Sequence, residues 1–129
     1  MKRAVLVFVL LSTAAHAQET KPLDLNSVDQ ALVKDFLGTY LIENADGKKI
    51  CEVKLTRKET IGGMVIKVAP SCAKTFPIMD DVASWRLYEN WEIALADATR
   101  HQLIRFTTPD NEYVADPETD GISTIRKKQ

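Results

Sequence analysis

Most hydrolytic or metal chemistry in this chain would have to depend on His101. The other histidine, His16, falls in an N-terminal segment that we expect to be removed. A histidine-based zinc site or a serine–histidine–acid triad would therefore need that one ring. Next to Arg100 at the start of a predicted strand, His101 is better explained as a solvated strand end, and the adjacent acids Asp80 and Asp81 as solvated loop charge. The sequence has no G-x-S-x-G, P-loop or dinucleotide motif, so we predict neither an enzyme nor a cofactor.

Residues 1–17 have the three parts of a secretory signal peptide. A basic start, an apolar stretch and an A-x-A cleavage site follow one another: Lys2-Arg3, Ala4–Leu11 and Ala15–Ala17. The apolar stretch is too short to span a membrane, and no cysteine follows it that could accept a lipid anchor. We therefore expect a mature chain that begins at Gln18, is periplasmic or secreted, and has no membrane anchor.

The mature chain is mildly acidic. Removing residues 1–17 takes away two of the 17 basic residues and none of the 18 acidic ones, which leaves 15 against 18 and a formal charge of −3. Nothing in this balance suggests nucleic acid or an anionic membrane as a partner.

The two cysteines, Cys51 and Cys72, are the remaining candidates for chemistry. In an exported protein a lone pair of cysteines is most simply one disulfide, which would leave no thiolate to act as nucleophile or metal ligand. Two buried free thiols are the alternative.

Alternation of period two organises the chain from Cys51 onward. Cys51, Val53 and Leu55 share one face of a strand, and residues 64–68 repeat the pattern after a Gly-Gly turn. Such alternation indicates a sheet with one buried and one solvated face. Eight short strands are predicted near residues 39–42, 51–56, 64–68, 84–88, 91–96, 102–107, 112–115 and 122–125. Their even spacing favours an all-β fold, a compact eight-stranded antiparallel β-barrel (lipocalin-like), because closure removes exposed edges.

Two elements precede the sheet. The segment Gln18–Asn26 contains Pro22 and has no period, so it is predicted to be an extended N-terminal arm, of a kind that is usually disordered. Ser27 and Gln30 have the spacing of a capping box, which predicts a short amphipathic helix that ends at Gly38. The predicted organisation is a signal peptide at 1–17, the arm at 18–26 and the barrel domain at 27–129.

Trp85 and Trp91 are both predicted to point inward from neighbouring strands, together with Leu87 and Ile93. Large aromatic rings dominate core burial, so packing of the barrel interior is the first explanation. The second is that the two indoles line a ligand pocket.

Taken together, these features resemble the Inh family, which are periplasmic protein inhibitors of serralysin-type zinc metalloproteases. The resemblance rests on the exported chain, the arm and short helix, the run Cys51-Glu-Val-Lys-Leu, Cys72 with a proline five residues later, and Trp85-Arg86. It covers roughly residues 28 to 128. It implies an eight-stranded antiparallel barrel, in agreement with the strand count.

The resemblance also implies a mechanism, in which an N-terminal trunk enters the protease cleft and the terminal amine ligates the catalytic zinc. The matching inhibitory residues here are Gln18, Glu19, Thr20, Lys21 and Pro22. The protein would bind no metal of its own, but the Gln18 amine would ligate the zinc of the target protease. This chain departs from the family in having a longer arm that begins with glutamine, where the inhibitors of known mechanism begin with serine.

The sequence thus predicts a monomeric periplasmic or secreted inhibitor of a protease, with a zinc metalloprotease as the expected target. The alternatives are a lipocalin-like carrier of a small apolar molecule and an envelope interaction module without inhibitory activity. A large internal cavity would favour the carrier, and a filled core with a free arm would favour the inhibitor.

Overall fold

The computed structural model describes Ala4 and residues 20–129. The remainder of the predicted signal peptide, its cleavage site and the first two residues of the predicted arm, Gln18 and Glu19, lie outside the described residues. Within residues 20–129, eight strands follow one another around a single closed barrel, and β8 pairs back with β1.

All neighbouring strand pairs are antiparallel. The strands are β1 (Gly38–Glu43), β2 (Ile50–Thr60), β3 (Gly63–Val68), β4 (Ser84–Leu87), β5 (Ile93–Ala96), β6 (Gln102–Thr107), β7 (Tyr113–Thr119) and β8 (Ile122–Lys127). The helices are α1 (Gln30–Phe36) and α2 (Cys72–Thr75), with 3₁₀ turns at Leu25–Ser27 and Pro77–Asp81. The predicted fold class is confirmed.

The alternation in β2 explains why this segment is a strand with one face in the core. Cys51, Val53 and Leu55 are buried, whereas Glu52 and Lys54 between them are exposed. Successive side chains in a strand point to opposite faces, so the apolar set lies inside the barrel and the charged set in solvent.

Two strands extend beyond their predicted ends. β2 continues to Thr60 across a register shift after Leu55, and β7 continues to Thr119 across a shift after Val114. The predicted turn at 116–121 is therefore too long, because β7 includes Pro117. Bulges interrupt the period of two and accommodate residues that cannot donate to the ladder, so alternation alone could not reveal these extensions.

The predicted capping box at Ser27 is wrong. α1 begins at Gln30 with Asp29 as its N-cap, and the Asp29 carboxylate accepts a hydrogen bond of 2.8 Å from the backbone N–H of Ala31. Ser27 belongs to the preceding 3₁₀ turn, which Asp24 caps. Both aspartates are good N-cap residues, and each caps its own short element.

Side chains fill the barrel interior. Trp85 is fully buried, and its indole Nε1 donates a hydrogen bond of 2.9 Å to the carbonyl of Thr56. The space between α1 and Trp85 is too small for a water molecule. The inward orientation predicted for Trp85 is confirmed, as is the burial of Leu87 and Ile93.

The strand position predicted for Trp91 is wrong, and its ring is only partly buried. β5 starts at Ile93, and Trp91 lies in the turn that joins β4 to β5, where 37% of its surface is exposed. The Trp91 N–H donates to the carbonyl of Tyr88 at 2.8 Å, and Tyr88 donates to Glu92 at 2.9 Å. Because these bonds close the turn before β5 begins, the alternation of inward and outward side chains along the strand does not include Trp91.

The predicted disulfide between Cys51 and Cys72 is present, with Cα atoms 5.0 Å apart. It joins β2 to α2, and both cysteines are buried. The alternative of two free thiols is therefore excluded.

Removing this disulfide should lower the free energy of unfolding by about 2–5 kcal/mol, because the cross-link restricts the unfolded chain. The test is denaturant unfolding of wild type and of the Cys51→Ala/Cys72→Ala double variant, after mass spectrometry of the wild type with and without reduction. Equal midpoints for the two proteins would contradict this role.

Trp85→Ala should cost about 3–5 kcal/mol, because it leaves a large cavity and an unpaired Thr56 carbonyl. Trp91→Ala is the matched control and should cost about 1 kcal/mol, since its ring is partly in solvent. Thermal and denaturant unfolding would compare the two, and equal losses would contradict the assigned positions.

Candidate inhibitory site

His101 forms part of a local turn network. Its Nδ1 lies 2.7 Å from the Thr99 hydroxyl, and that hydroxyl also lies 2.7 Å from the Asp97 carboxylate. Asp97 further accepts the backbone N–H groups of Thr99 and His101. These hydrogen bonds, that of the Thr99 hydroxyl above all, lower the pKa of Asp97. The arrangement explains the turn between β5 and β6.

The described residues contain no group of three or more His, Cys, Asp and Glu side chains placed to hold a metal ion. Among the same residues, no helix has the length and hydropathy needed to cross a bilayer.

The predicted arm is attached to the barrel. Leu23 donates a backbone hydrogen bond of 2.8 Å to Leu87, and Lys21 accepts one of 2.9 Å from Glu89. Pro22 forms the bridge between them, opposite Tyr88. The expectation that the arm is disordered is therefore wrong for Lys21–Leu23.

This attachment uses an edge of β4 that β3 leaves free. β3 and β4 pair at only two positions, Met64 with Trp85 and Val65 with Ser84. Backbone groups of alternate residues point to the same edge of a strand. The Leu87 carbonyl therefore points to the same side as β3 but lies past the start of β3 at Gly63, and the arm fills that position.

The base of the arm is fixed to β2 as well. Leu25 is buried in the core. The Arg57 guanidinium donates to the side-chain oxygen of Asn26 at 2.7 Å and to that of Gln30. The segment from Lys21 to α1 is therefore held along its length.

The attachment shortens the part of the arm that can project. Of the five predicted inhibitory residues, Lys21 and Pro22 are held at the turn that follows β4, and Thr20 is exposed beside the same turn. Gln18 and Glu19 lie outside the described residues. With Lys21 fixed, the three residues Gln18–Thr20 could span about 10 Å when extended, whereas the whole nine-residue arm would span about 30 Å.

An open groove with a volume of about 720 Å³ lies next to this attachment. Its walls are α1, the β4–β5 and β6–β7 turns, the ends of β1 and β8, and the β1–β2 turn. We call it the Trp91 groove, because Trp91 forms its wall on the side of the arm. It lies outside the filled barrel core.

Phe36 organises the aromatic wall of the Trp91 groove. Its ring centroid lies 5.9 Å from that of Tyr40, 5.8 Å from Trp85, 6.3 Å from Trp91 and 6.4 Å from Tyr113. Such separations are in the range of favourable aromatic pairs. Phe36 therefore connects the buried Trp85 to the exposed Trp91.

Two tyrosine hydroxyls hold the groove together. Tyr113 donates to the carbonyl of Trp91 at 2.7 Å, and Tyr40 donates to the carbonyl of Phe36 at 2.5 Å. Burial raises the pKa of Tyr113 to about 12. Burial, and to a smaller extent the neighbouring Tyr113, also raises the pKa of Tyr40.

A second groove, of about 540 Å³, lies between the arm and the β2–β3 hairpin. The Arg86 guanidinium stabilises this region by donating to the carbonyl of Arg100 at 2.7 Å and to that of Gly62. Gly63 lacks a side chain because a Cβ there would collide with the carbonyl of Trp85.

Sequence reasoning did not identify Tyr88, Phe36 or Tyr113 as parts of the site. Phe36 fits the helical spacing of α1 and Tyr113 lies in a predicted strand, so both had a structural explanation. Tyr88 contacts the arm through its backbone, and backbone pairing across 66 positions leaves no signal in side-chain types.

The fold defines a small closed β-barrel with an N-terminal segment attached to one strand edge. A model of the family "Protease inhibitor Inh" matches residues 31–127. This match covers most of the 129 residues, so the chain belongs to the Inh family of protease inhibitors. No curated protein and no solved structure was found to match the chain.

The tyrosines predict how the stability of the barrel depends on pH. The neutral form of Tyr113 is favoured in the folded state, because its pKa rises from the ordinary value of about 10 to about 12. Its contribution to stability is therefore complete below about pH 10 and is lost as the pH rises toward the folded-state pKa.

We expect denaturant midpoints measured between pH 8 and pH 12 (about the range of tyrosine ionisation) to fall more steeply for wild type than for Tyr113→Phe. Parallel curves would contradict the role of burial.

Proposed function

We propose that this protein inhibits a zinc metalloprotease by stoichiometric binding, with its N-terminal residues in the active-site cleft. The observation that carries the proposal is the attachment of Lys21–Leu23 to β4, which gives the preceding residues a fixed point of departure. Family membership supports a protease as the partner.

The chemistry of the proposal concerns the zinc of the target. A catalytic zinc keeps one coordination position for the water that it activates. A neutral terminal amine at Gln18 would occupy that position and exclude the water. No catalytic step by the inhibitor is needed.

The attached arm explains how so short a segment could bind tightly. Ordering a free segment on binding costs conformational entropy, and a segment that is already ordered avoids part of that cost. Lys21–Leu23 is held before the protease arrives, so only Gln18–Thr20 would have to be ordered in the complex. The arm as a whole is longer than that of the family's inhibitors of known mechanism, but the part that could project is short.

The proposed setting follows from the predicted signal peptide. Export to the periplasm or beyond would place the protein where proteases act on exposed substrates and where the disulfide between Cys51 and Cys72 is stable. We propose that it acts there as a monomer.

Of the alternatives, the carrier is the weaker one. The barrel interior is filled by side chains such as Trp85, and the space beside it does not admit water. A ligand-carrying barrel needs an internal cavity instead. The non-inhibitory envelope module differs from our proposal only in activity, so a protease assay separates the two.

The first experiment is an inhibition assay of the mature protein against zinc, serine, cysteine and aspartic proteases. Deleting Gln18–Thr20 should abolish inhibition of the metalloprotease and leave the melting temperature nearly unchanged, because terminal residues outside the core contribute little to stability. Undiminished inhibition by the truncated protein would move the site to the barrel.

Two further changes test separately the contribution of the Gln18 amine and that of the attachment of the arm to β4. Conversion of Gln18 to pyroglutamate removes the amine, so the cyclised protein should inhibit far more weakly than the open form. Leu23→Pro removes the N–H that bonds Leu87 and should weaken inhibition, whereas Leu23→Ala keeps this N–H and serves as its control. Equal inhibition by both Leu23 variants would show that attachment adds nothing.

A further inference from the structure

The β4–β5 turn connects the arm to the Trp91 groove. On one side, Glu89 donates to the backbone of Lys21, and Tyr88 pairs with Pro22. On the other side, Trp91 forms part of the groove wall. These residues are separated by three positions at most, so a partner that takes the arm lies next to the groove.

Trp91 has a backbone conformation that its own side chain disfavours. Its φ is +64°, in the left-handed region that bulky residues rarely adopt. Two hydrogen bonds hold it there: its N–H donates to Tyr88 at 2.8 Å, and its carbonyl accepts the Tyr113 hydroxyl at 2.7 Å. Strained residues of this kind cluster at binding sites.

The strained backbone of Trp91 leaves part of its indole ring outside the core. Trp91 is 37% exposed and Leu32, on the α1 side of the groove, is 54% exposed. Single exposed apolar residues are ordinary, but these two face one groove of about 720 Å³. A partly exposed tryptophan in a concave surface is the residue type that most often dominates binding energy.

The charges around the groove indicate what kind of partner it suits. Four acids and two bases line it, and one acid, Glu43, is paired with Arg126 at 2.7 Å. Asp35, Asp46 and Glu112 form no ion pair with any described residue. The rim therefore carries a surplus of negative charge, which favours a basic partner surface.

We infer that the Trp91 groove is a second contact surface for the protease that receives the arm, and that it takes an apolar side chain flanked by lysine or arginine on the protease. This inference rests on the proposed function, because the partner is the same molecule. Its basis is the strained Trp91, the apolar groove and the acidic rim, together with the continuity between the groove and the arm through one turn. The groove would supply affinity and orientation, while the arm blocks the active site.

The test compares inhibition constants of Trp91→Ala and Leu32→Ala with that of the matched control Ile61→Ala. Ile61 is 64% exposed and lies in the β2–β3 turn, outside the groove. Trp91→Ala should weaken inhibition by about tenfold or more and Leu32→Ala by a smaller factor, mainly through faster dissociation, while Ile61→Ala should have no effect. Melting temperatures of all variants exclude loss of folding as the cause.

The acidic rim has its own test in the Asp46→Asn/Glu112→Gln double variant. Its association rate with the protease should fall several-fold at low salt, and the difference from wild type should disappear near 0.5 M salt, about where screening is complete. In surface binding, the protein without Gln18–Thr20 should still bind the protease weakly, and adding Trp91→Ala should remove that binding.

The outcomes separate the two proposals. If wild type inhibits no protease, the proposed function is wrong and this inference falls with it. If wild type inhibits but Trp91→Ala does so equally well, only the second contact is wrong. A dimer in sedimentation that Trp91→Ala disperses would assign the groove to a second copy of this chain. Tight binding of a small apolar probe such as 1-anilinonaphthalene-8-sulfonate that Trp91→Ala removes, with inhibition unchanged, would assign it to a ligand.

Discussion

The short pairing between β3 and β4 is the constraint on which the rest of this structure depends. The two strands share only two residue pairs, and β4 extends past the start of β3 at Gly63. Leu87 at the end of β4 and Glu89 in the following turn are thereby left without a partner from β3, and such backbone groups need partners. The N-terminal segment supplies them through Leu23 and Lys21, and so protects an edge that would otherwise invite pairing with another chain. The part of the chain that extends past the start of β3 thus becomes the attachment point of the arm.

Attachment of the arm to the barrel shortens the part that can project, but it orders the part that is attached. It removes about two thirds of the length that a free arm would have, since only the residues before Lys21 can project. In return, Lys21 is held by a barrel whose core is filled and cross-linked between Cys51 and Cys72. In the mechanism that we propose, a short projection from a rigid base would suit a narrow cleft better than a long flexible chain, because less entropy would be lost on binding.

The β4–β5 turn is the point at which the fold and the proposed interface meet. It closes through the bond from Trp91 to Tyr88, pairs with the arm through Glu89, and contacts the barrel end through Phe36. The same aromatic cluster includes Trp85, the largest fully buried side chain. The position of the exposed indole is therefore coupled to the core by direct packing, and the groove is a preformed feature of the barrel.

Much of the architecture could be read from the sequence, because its signals are local. Period-two alternation revealed eight strands and the burial of Trp85, and the predicted export signal with a lone cysteine pair indicated the disulfide. The arm could be recognised as a segment without period, but its attachment to β4 could not, because backbone hydrogen bonds do not depend on side-chain type. The position of Trp91 likewise depends on a turn, which the alternation of side chains along a strand does not predict. Local side-chain periodicity determined which segments became strands. Tertiary structure alone decided which backbone edges remained free and which segment paired with them. The reason is that the extent of pairing between neighbouring strands depends on the twist and closure of the whole barrel.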